Sequence, residues 1–230
     1  LGKFSGMKCI VTAGPTYEPL DEVRRLTNFS TGKLGTDLAD HLAHHGHQVT
    51  LLRGYYATYE KPAMVGEVIP FTTTLDLHDL LKRLSQNRPD AVFHAAAVND
   101  FTFGQVWQRG DSLNPAPGSS PSQQLIPVAA GKIPTRQAEL LVELKPVVKI
   151  LPCLRGWLPQ AILVGWKYEL DGNRADALEK GWRQIEECQT NYCVVNGRAY
   201  GEGFGLLSAE RGGRHLEDAE LLKGALAGLL

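Results

Sequence analysis

NFSTGKLGTDLADHLAHHGHQVTLLRG, residues 28–54, runs from a loop of small and hydroxylated residues into a helix and then a strand. Leu34, Leu38 and Leu42 recur every fourth position, and Ala39 and Ala43 widen the stripe, so one helix face is apolar. Gly46 closes the helix, and QVTLLRG is an apolar run short enough for a buried strand. Upstream, KCIVTAG (residues 8–14) is a second such run, ending in glycine. Downstream come EVIPF, a helix capped by Thr74 with Leu77, Leu80, Leu81 and Leu84 on one face, and AVFHAAAV (residues 91–98). Strands alternating with helices predict an α/β fold, Rossmann-like, with a mostly parallel sheet and helices on both faces.

The segment between Gly14 and Lys33 is long for a compact α/β unit and shows no element of its own, which points to function. Residues 104–131 are rich in Pro, Gly, Ser and Gln and read as a mobile flap within one domain spanning 1–230. Beyond it, ELLVEL reads as a strand, PVVKILPCLRGWL as a helix kinked at Pro152, and AILVGWKYEL as a strand. A helix from Asp171 to about Gln189, the strands NYCVVNG and GFGLLS, and a closing helix complete the chain.

The 230 residues are 43% hydrophobic and 21% charged, with a formal net charge of −1. That balance suits a globular enzyme and predicts neither nucleic acid nor an anionic membrane as partner. No apolar run reaches the length of a membrane span. Cys9, Cys153, Cys188 and Cys193 form no C-x-x-C pair; Cys9 and Cys193 sit in strand-like runs as buried apolar residues, and a reducing cytoplasmic location is expected.

Residues 28–35 hold glycines, hydroxyls, an amide and a lysine at a helix start, where backbone N–H groups favour an anion. The alternative is a helix merely capped by Ser30 or Thr31. A nicotinamide loop needs its glycines within one short turn, and Gly14 and Gly32 are too far apart. No tyrosine is followed by lysine at the fourth position, which also disfavours an NAD(P)-dependent oxidoreductase. A Walker A loop fails because Leu34 follows Lys33. His41 and His45 are four apart, but further zinc ligands are not evident and no metal site is predicted. HAAAVND offers small residues that let a ligand approach the backbone, and Asp100 falls past a strand's C-terminal end, where α/β sheets bind ligands. Lys132, at the end of the flap, is placed to close over an anion.

VTAGPTYEPLDEVRRLTNFSTGKLG, HAAAVNDF, GKI, VGWKYEL and CVVNG follow one another in the order of the phosphopantothenoylcysteine synthetases, and the chain resembles that family over nearly its whole length. The resemblance implies a ligase of coenzyme A biosynthesis that joins 4'-phosphopantothenate to cysteine through an acyl-nucleotide, with Mg2+ and CTP or ATP. It implies a homodimer and no flavin. By motif, Asn28 would hold the acyl-nucleotide carbonyl and Lys132 would act on the intermediate. Arg24, Ser30, Thr31, Gly32, Lys33 and Gly35 would bind substrate. Gly14, Ala95, Ala96, Ala97, Asp100, Trp166 and Lys180 would line the nucleotide site. Pro15 and Tyr17 in the first loop, Gln184 in place of a second lysine, and KPVV (residues 145–148) depart from the bacterial pattern. A non-catalytic or diverged nucleotide-binding homologue is the alternative these departures favour.

Overall fold

The structure, a computed structural model, describes residues 6–61, 63–109, 125–128, 131–133 and 139–230. Its centre is an eight-stranded sheet. The strands, in chain order, are β1 (Lys8–Ala13), β4 (Gln48–Gly54), β5 (Glu67–Phe71), β6 (Ala91–His94), β10 (Ile162–Tyr168), β11 (Tyr192–Asn196), β12 (Phe204–Ser208) and β13 (Gly213–Leu216). Their spatial order is β13-β12-β11-β10-β6-β1-β4-β5. The six strands from β11 to β5 run parallel, and β12 and β13 add an antiparallel edge. The expected Rossmann-like α/β fold is therefore found, with one extra strand, β13, that the polar run GRHL did not announce.

Alternation along the central strands sends side chains to opposite faces. Cys9, Val11 and Ala13 of β1 meet Leu38, Ala39 and Leu42 of α1 (Lys33–His44) and Leu222 and Leu226 of α5 (Ala219–Ala227). Ile10, between them, turns to the other face. It joins Leu77, Leu80 and Leu81 of α2 (Thr74–Ser85) and Leu154 of α3 (Leu151–Trp157). On that face α4 (Arg174–Cys188) packs Ala177 and Ile185 against Cys193 and Val195 of β11. Cys9 and Cys193 are buried, and burial pushes both thiols up to about 12, so both act as apolar filler.

Several local expectations are corrected. The cap of α2 is Thr73, whose side chain accepts from the Asp76 N–H; Thr74 is the first helical residue. α1 starts from Gly32, held left-handed at φ 82°, rather than from Ser30 or Thr31, and the Thr31 hydroxyl accepts the Lys33 N–H at 3.3 Å. Pro152 sits in the first turn of α3, where its missing N–H costs nothing, and so begins the helix rather than kinking it. α4 starts after Asn173, whose side chain and that of Asp176 form a capping box. β6 ends at His94, four residues short of the apolar run.

Two larger corrections concern the segments read as unstructured. Residues between β1 and α1 hold a hairpin, β2 (Tyr17–Pro19) with β3 (Arg25–Thr27). Arg25 lies over the Tyr56 ring at 3.3 Å, tying the hairpin to the loop after β4. The proposed flap begins inside a strand: β7 (Phe101–Arg109) contains Gly104 and pairs with β8 (Leu125–Val128) and β9 (Leu140–Pro146) in a separate antiparallel sheet. Residues 110–124, 129–130 and 134–138, part of the expected flap or adjoining it, lie outside the described residues. Among the described residues no helix is long and apolar enough to cross a membrane.

Candidate functional site

The chain leaves β1 for β4 on one side and returns to β6 on the other. The C-terminal ends of β1 and β6 therefore form a switch point of the kind where open α/β sheets bind ligands. Gly14, at φ 83°, turns the chain out of β1 and accepts the Ala97 N–H at 3.0 Å. The Ala97 carbonyl accepts the Thr16 N–H at 3.1 Å and the Asn28 side-chain N–H at 3.1 Å. Buried Asn99 adds its own amide, donating to the carbonyls of Thr16 and Leu26 at 3.4 and 3.3 Å. The hairpin is thus sewn to residues 95–99, and Asn28 is held there by one of its two N–H groups.

This seam separates two clefts. The smaller, about 340 Å³, is bounded by Gly14, Thr31, Gly32, Lys33 and Ala95, with Asn196 across it. It lies at the start of α1, and Ser30, Leu34, Asp37 and Phe204 also line it. Gly35 owes its place there to packing as well: a Cβ at that position would stand 2.6 Å from the Ala13 Cβ and 2.8 Å from the Thr12 carbonyl oxygen. Lys33 donates to Asp37 at 2.6 Å, and Tyr59 donates to the same carboxylate at 2.8 Å. The hydrogen bond to Asp37 is the main reason the Lys33 pKa lies above its ordinary value.

The larger cleft, about 680 Å³, opens between β6, β10, α3 and α4. Its rim is charged. Lys180 donates to Glu169 at 2.5 Å, and Lys167 stands 3.4 Å from the same carboxylate. Burial pushes the Glu169 carboxyl up, but the Lys180 hydrogen bond and the Lys167 charge outweigh it, and its pKa lies below the ordinary value. Asp100 is paired with Lys149. Trp166 also lines this cleft, and its indole N–H is buried without a partner among the described residues. A third cleft, about 600 Å³, opens at the opposite edge of the sheet beside Lys8, Gln48 and Glu67 and holds none of the sequence-predicted residues.

The candidate nucleotide residues thus divide, Gly14 and Ala95 on the smaller cleft and Ala96, Asp100, Trp166 and Lys180 on the larger. Ser30 to Gly35 gather on the smaller one. Arg24 does not reach either: its guanidinium is 3.2 Å from Asp21 and donates to the Ile133 carbonyl at 2.5 Å. Asp21 in turn accepts the N–H groups of Val23, Arg24 and Ile133, and Glu22 N–H donates to the Gly131 carbonyl. Burial raises the Asp21 pKa, but those N–H donors and the Arg24 charge prevail and hold it below the ordinary value. Lys132, exposed, lies between two residues anchored in this way.

Sequence reasoning missed Asn99, Lys149 and His94. Asn99 carried a weak signal, an amide beside the chosen Asp100. Lys149 carried none, because its partner is 49 residues away.

Residues 4–109 match the family model of the DNA/pantothenate metabolism flavoprotein C-terminal domain. The coenzyme A biosynthesis bifunctional protein CoaBC of Thermococcus kodakarensis is 28% identical over 84% of this chain, and the chain spans 42% of that protein's length. The crystal structure of the DNA/pantothenate metabolism flavoprotein from Streptococcus pneumoniae superposes with a TM-score of 0.79 at 22% identity, over 97% of this chain and 98% of the other. A Cab2 mutant in complex with phosphopantothenate-cysteine gives 0.67 at 18% identity, over 96% and 85%. At these identities the two structures speak for a shared fold.

Proposed function

We propose that this chain, a relative of the phosphopantothenoylcysteine synthetases, joins 4'-phosphopantothenate to cysteine through an acyl-nucleotide intermediate. In the first step the pantothenate carboxylate attacks the α-phosphorus of a nucleoside triphosphate and pyrophosphate leaves. In the second the cysteine amine attacks the acyl carbonyl and the nucleoside monophosphate leaves.

Both steps bring negative charge together, so oriented donors and cations must offset repulsion. The observation that carries the reading is Asn28, held on the Ala97 carbonyl at the seam between the two clefts. Its second N–H is free to meet the acyl oxygen as charge develops there. The start of α1 offers backbone N–H groups to an anion in the smaller cleft. Lys180 and Lys167 flank Glu169 on the larger one and are available to phosphate. Lys132 adds a cation to the intermediate. Asp100, an exposed carboxylate on the rim, suits Mg2+ as it arrives with nucleotide, since that ion is usually held by one or two carboxylates plus phosphates. The ion would supply charge neutralisation.

The choice between CTP and ATP, a cytoplasmic location and a homodimer belong to the same proposal. The test is pyrophosphate release with phosphopantothenate, cysteine and each nucleotide in turn. Nucleotide- and acid-dependent release is expected. Nucleotide binding without release in any combination would leave a non-catalytic homologue.

A further inference from the structure

His94 ends β6 and lines the larger cleft. It stands beside Thr12 of β1 on one side and Gly165 of β10 on the other. The Thr12 hydroxyl oxygen accepts the Ala96 N–H at 3.0 Å and lies 3.0 Å from the imidazole Nδ1. That hydroxyl has one proton and no other acceptor among the described residues, so it donates to Nδ1. The imidazole proton is thereby fixed on Nε2. Nε2 has no protein partner among the described residues. The ring is buried, and burial lowers its pKa to about 4, so it is neutral at ordinary pH.

The surroundings state what kind of group fits. Charged side chains border the cleft, the cations Lys149, Lys167, Lys180 and Arg183 with the carboxylates Asp100, Glu169 and Glu187 among them, whereas Ala96, Val98, Leu151 and Pro152 supply apolar wall. Phosphate belongs with the cations. A flat, weakly polar ring belongs in the apolar part, with a few convergent polar groups to orient it. Gly165 lets Gln184 and Leu151 close in on β10 beside His94, since a Cβ there would come within 2.7 Å of the Gln184 amide nitrogen and 2.9 Å of a Leu151 methyl.

We propose that the Nε2–H of His94 donates to a ring-nitrogen or carbonyl acceptor of the nucleobase at the floor of the larger cleft. His94 is then a specificity residue for the nucleotide, and the inference rests on the ligase reading above. A histidine serving only the fold would need its Nδ1 bond to Thr12 and nothing more.

Asparagine and glutamine separate these roles, because Asn places its amide near the Nδ1 position and Gln near Nε2. The experiment is calorimetric binding of ATP, CTP and inorganic tripolyphosphate to the full chain and to His94→Asn and His94→Gln. His94→Asn is expected to bind the preferred nucleotide about five- to tenfold more weakly, the loss of one neutral hydrogen bond. His94→Gln should stay within about threefold, and tripolyphosphate should bind all three proteins alike. Parent-like nucleotide binding by His94→Asn would overturn the inference and leave the ligase reading standing. An equal loss of tripolyphosphate binding would also overturn it, by placing the effect on phosphate. Failure of the parent to bind either nucleotide would remove both readings. Should the variants fold poorly, nitrogen NMR of labelled histidine in the parent decides: the His94 Nε2–H signal should move with nucleotide and not with tripolyphosphate, and a signal unmoved by nucleotide overturns the inference.

Discussion

The two clefts at the C-terminal edge of the sheet are made of different material. The smaller lies at a helix start and holds three glycines, Gly14, Gly32 and Gly35, beside Lys33, Asp37 and Asn196. The larger has two ion pairs on its rim, Lys180 with Glu169 and Lys149 with Asp100, beside Arg183 and Glu187. A helix start offers N–H groups that nothing can titrate, which suits an anion of any identity. A side-chain cleft must exchange partners on binding, which suits discrimination. The contrast is between fixed backbone donors on one side and ions that must exchange partners on the other.

Asn28, on the seam, tests whether the two clefts act as one site. Asn28→Ala should lower turnover by about two to three decades, the worth of one donor aimed at developing charge, with folding intact. Asn28→Asp should fall at least as far, because it adds repulsion. Single-turnover kinetics and a thermal melt decide; undiminished turnover in both variants would mean the clefts do not share a reacting centre.

The larger cleft holds a buried imidazole, and none lines the smaller. The folded-state pKa of His94 is about 4, below the ordinary 6.5. Below pH 6.5 the unfolded chain takes up a proton that the folded protein refuses. The stability is therefore complete above about 6.5 and is lost progressively as pH falls to about 4. The sum is on the order of 3 kcal/mol. Urea titrations of the parent and His94→Gln between pH 7 and pH 4 should show a shallower decline in the variant. Parallel curves would break this part of the contrast.

The smaller cleft is rigid for steric reasons. Gly35→Ala should destabilise by about 1–3 kcal/mol, since the added methyl meets the Ala13 side chain and the Thr12 carbonyl. Its effect on nucleotide-base preference should be nil. A denaturant midpoint and a CTP-to-ATP activity ratio measure the two halves of that statement.

Smallest in stability is Lys132→Gln, expected to shift folding by under about 0.5 kcal/mol. Turnover should nonetheless fall, unequally for acyl-nucleotide formation and cysteine capture. A variant slowed in neither step would reduce Lys132 to a solvated loop lysine.

Legibility in the sequence followed the range of the forces involved. α1 was visible because Leu34, Leu38 and Leu42 repeat at helical spacing, and all but the first are fully buried. β1 and β4 were visible because buried parallel strands are continuous apolar runs. The β2–β3 hairpin was not, since two strands of three residues are too short for alternation to show. Its stability comes from distant partners, Asn99 and Tyr56. The site divided likewise. Asn28, Ser30 to Gly35 and Asp100 stood out through local composition and family motif. His94 hid at the end of an apolar run, where a histidine reads as core, and its chemistry depends on Thr12, 82 residues away.

The turn at Asp21 has a consequence for Lys132. Gly131 is hydrogen-bonded to Glu22, and Ile133 to both Asp21 and Arg24, so the lysine is flanked on each side by fixed backbone. Its ammonium then searches a volume set by its own four-carbon stem, and what it supplies to a neighbouring anion is a high effective concentration of cation. Potassium or ammonium ions in solution would rescue Lys132→Gln poorly, because matching a tethered charge takes far more salt than the remaining electrostatic contacts tolerate.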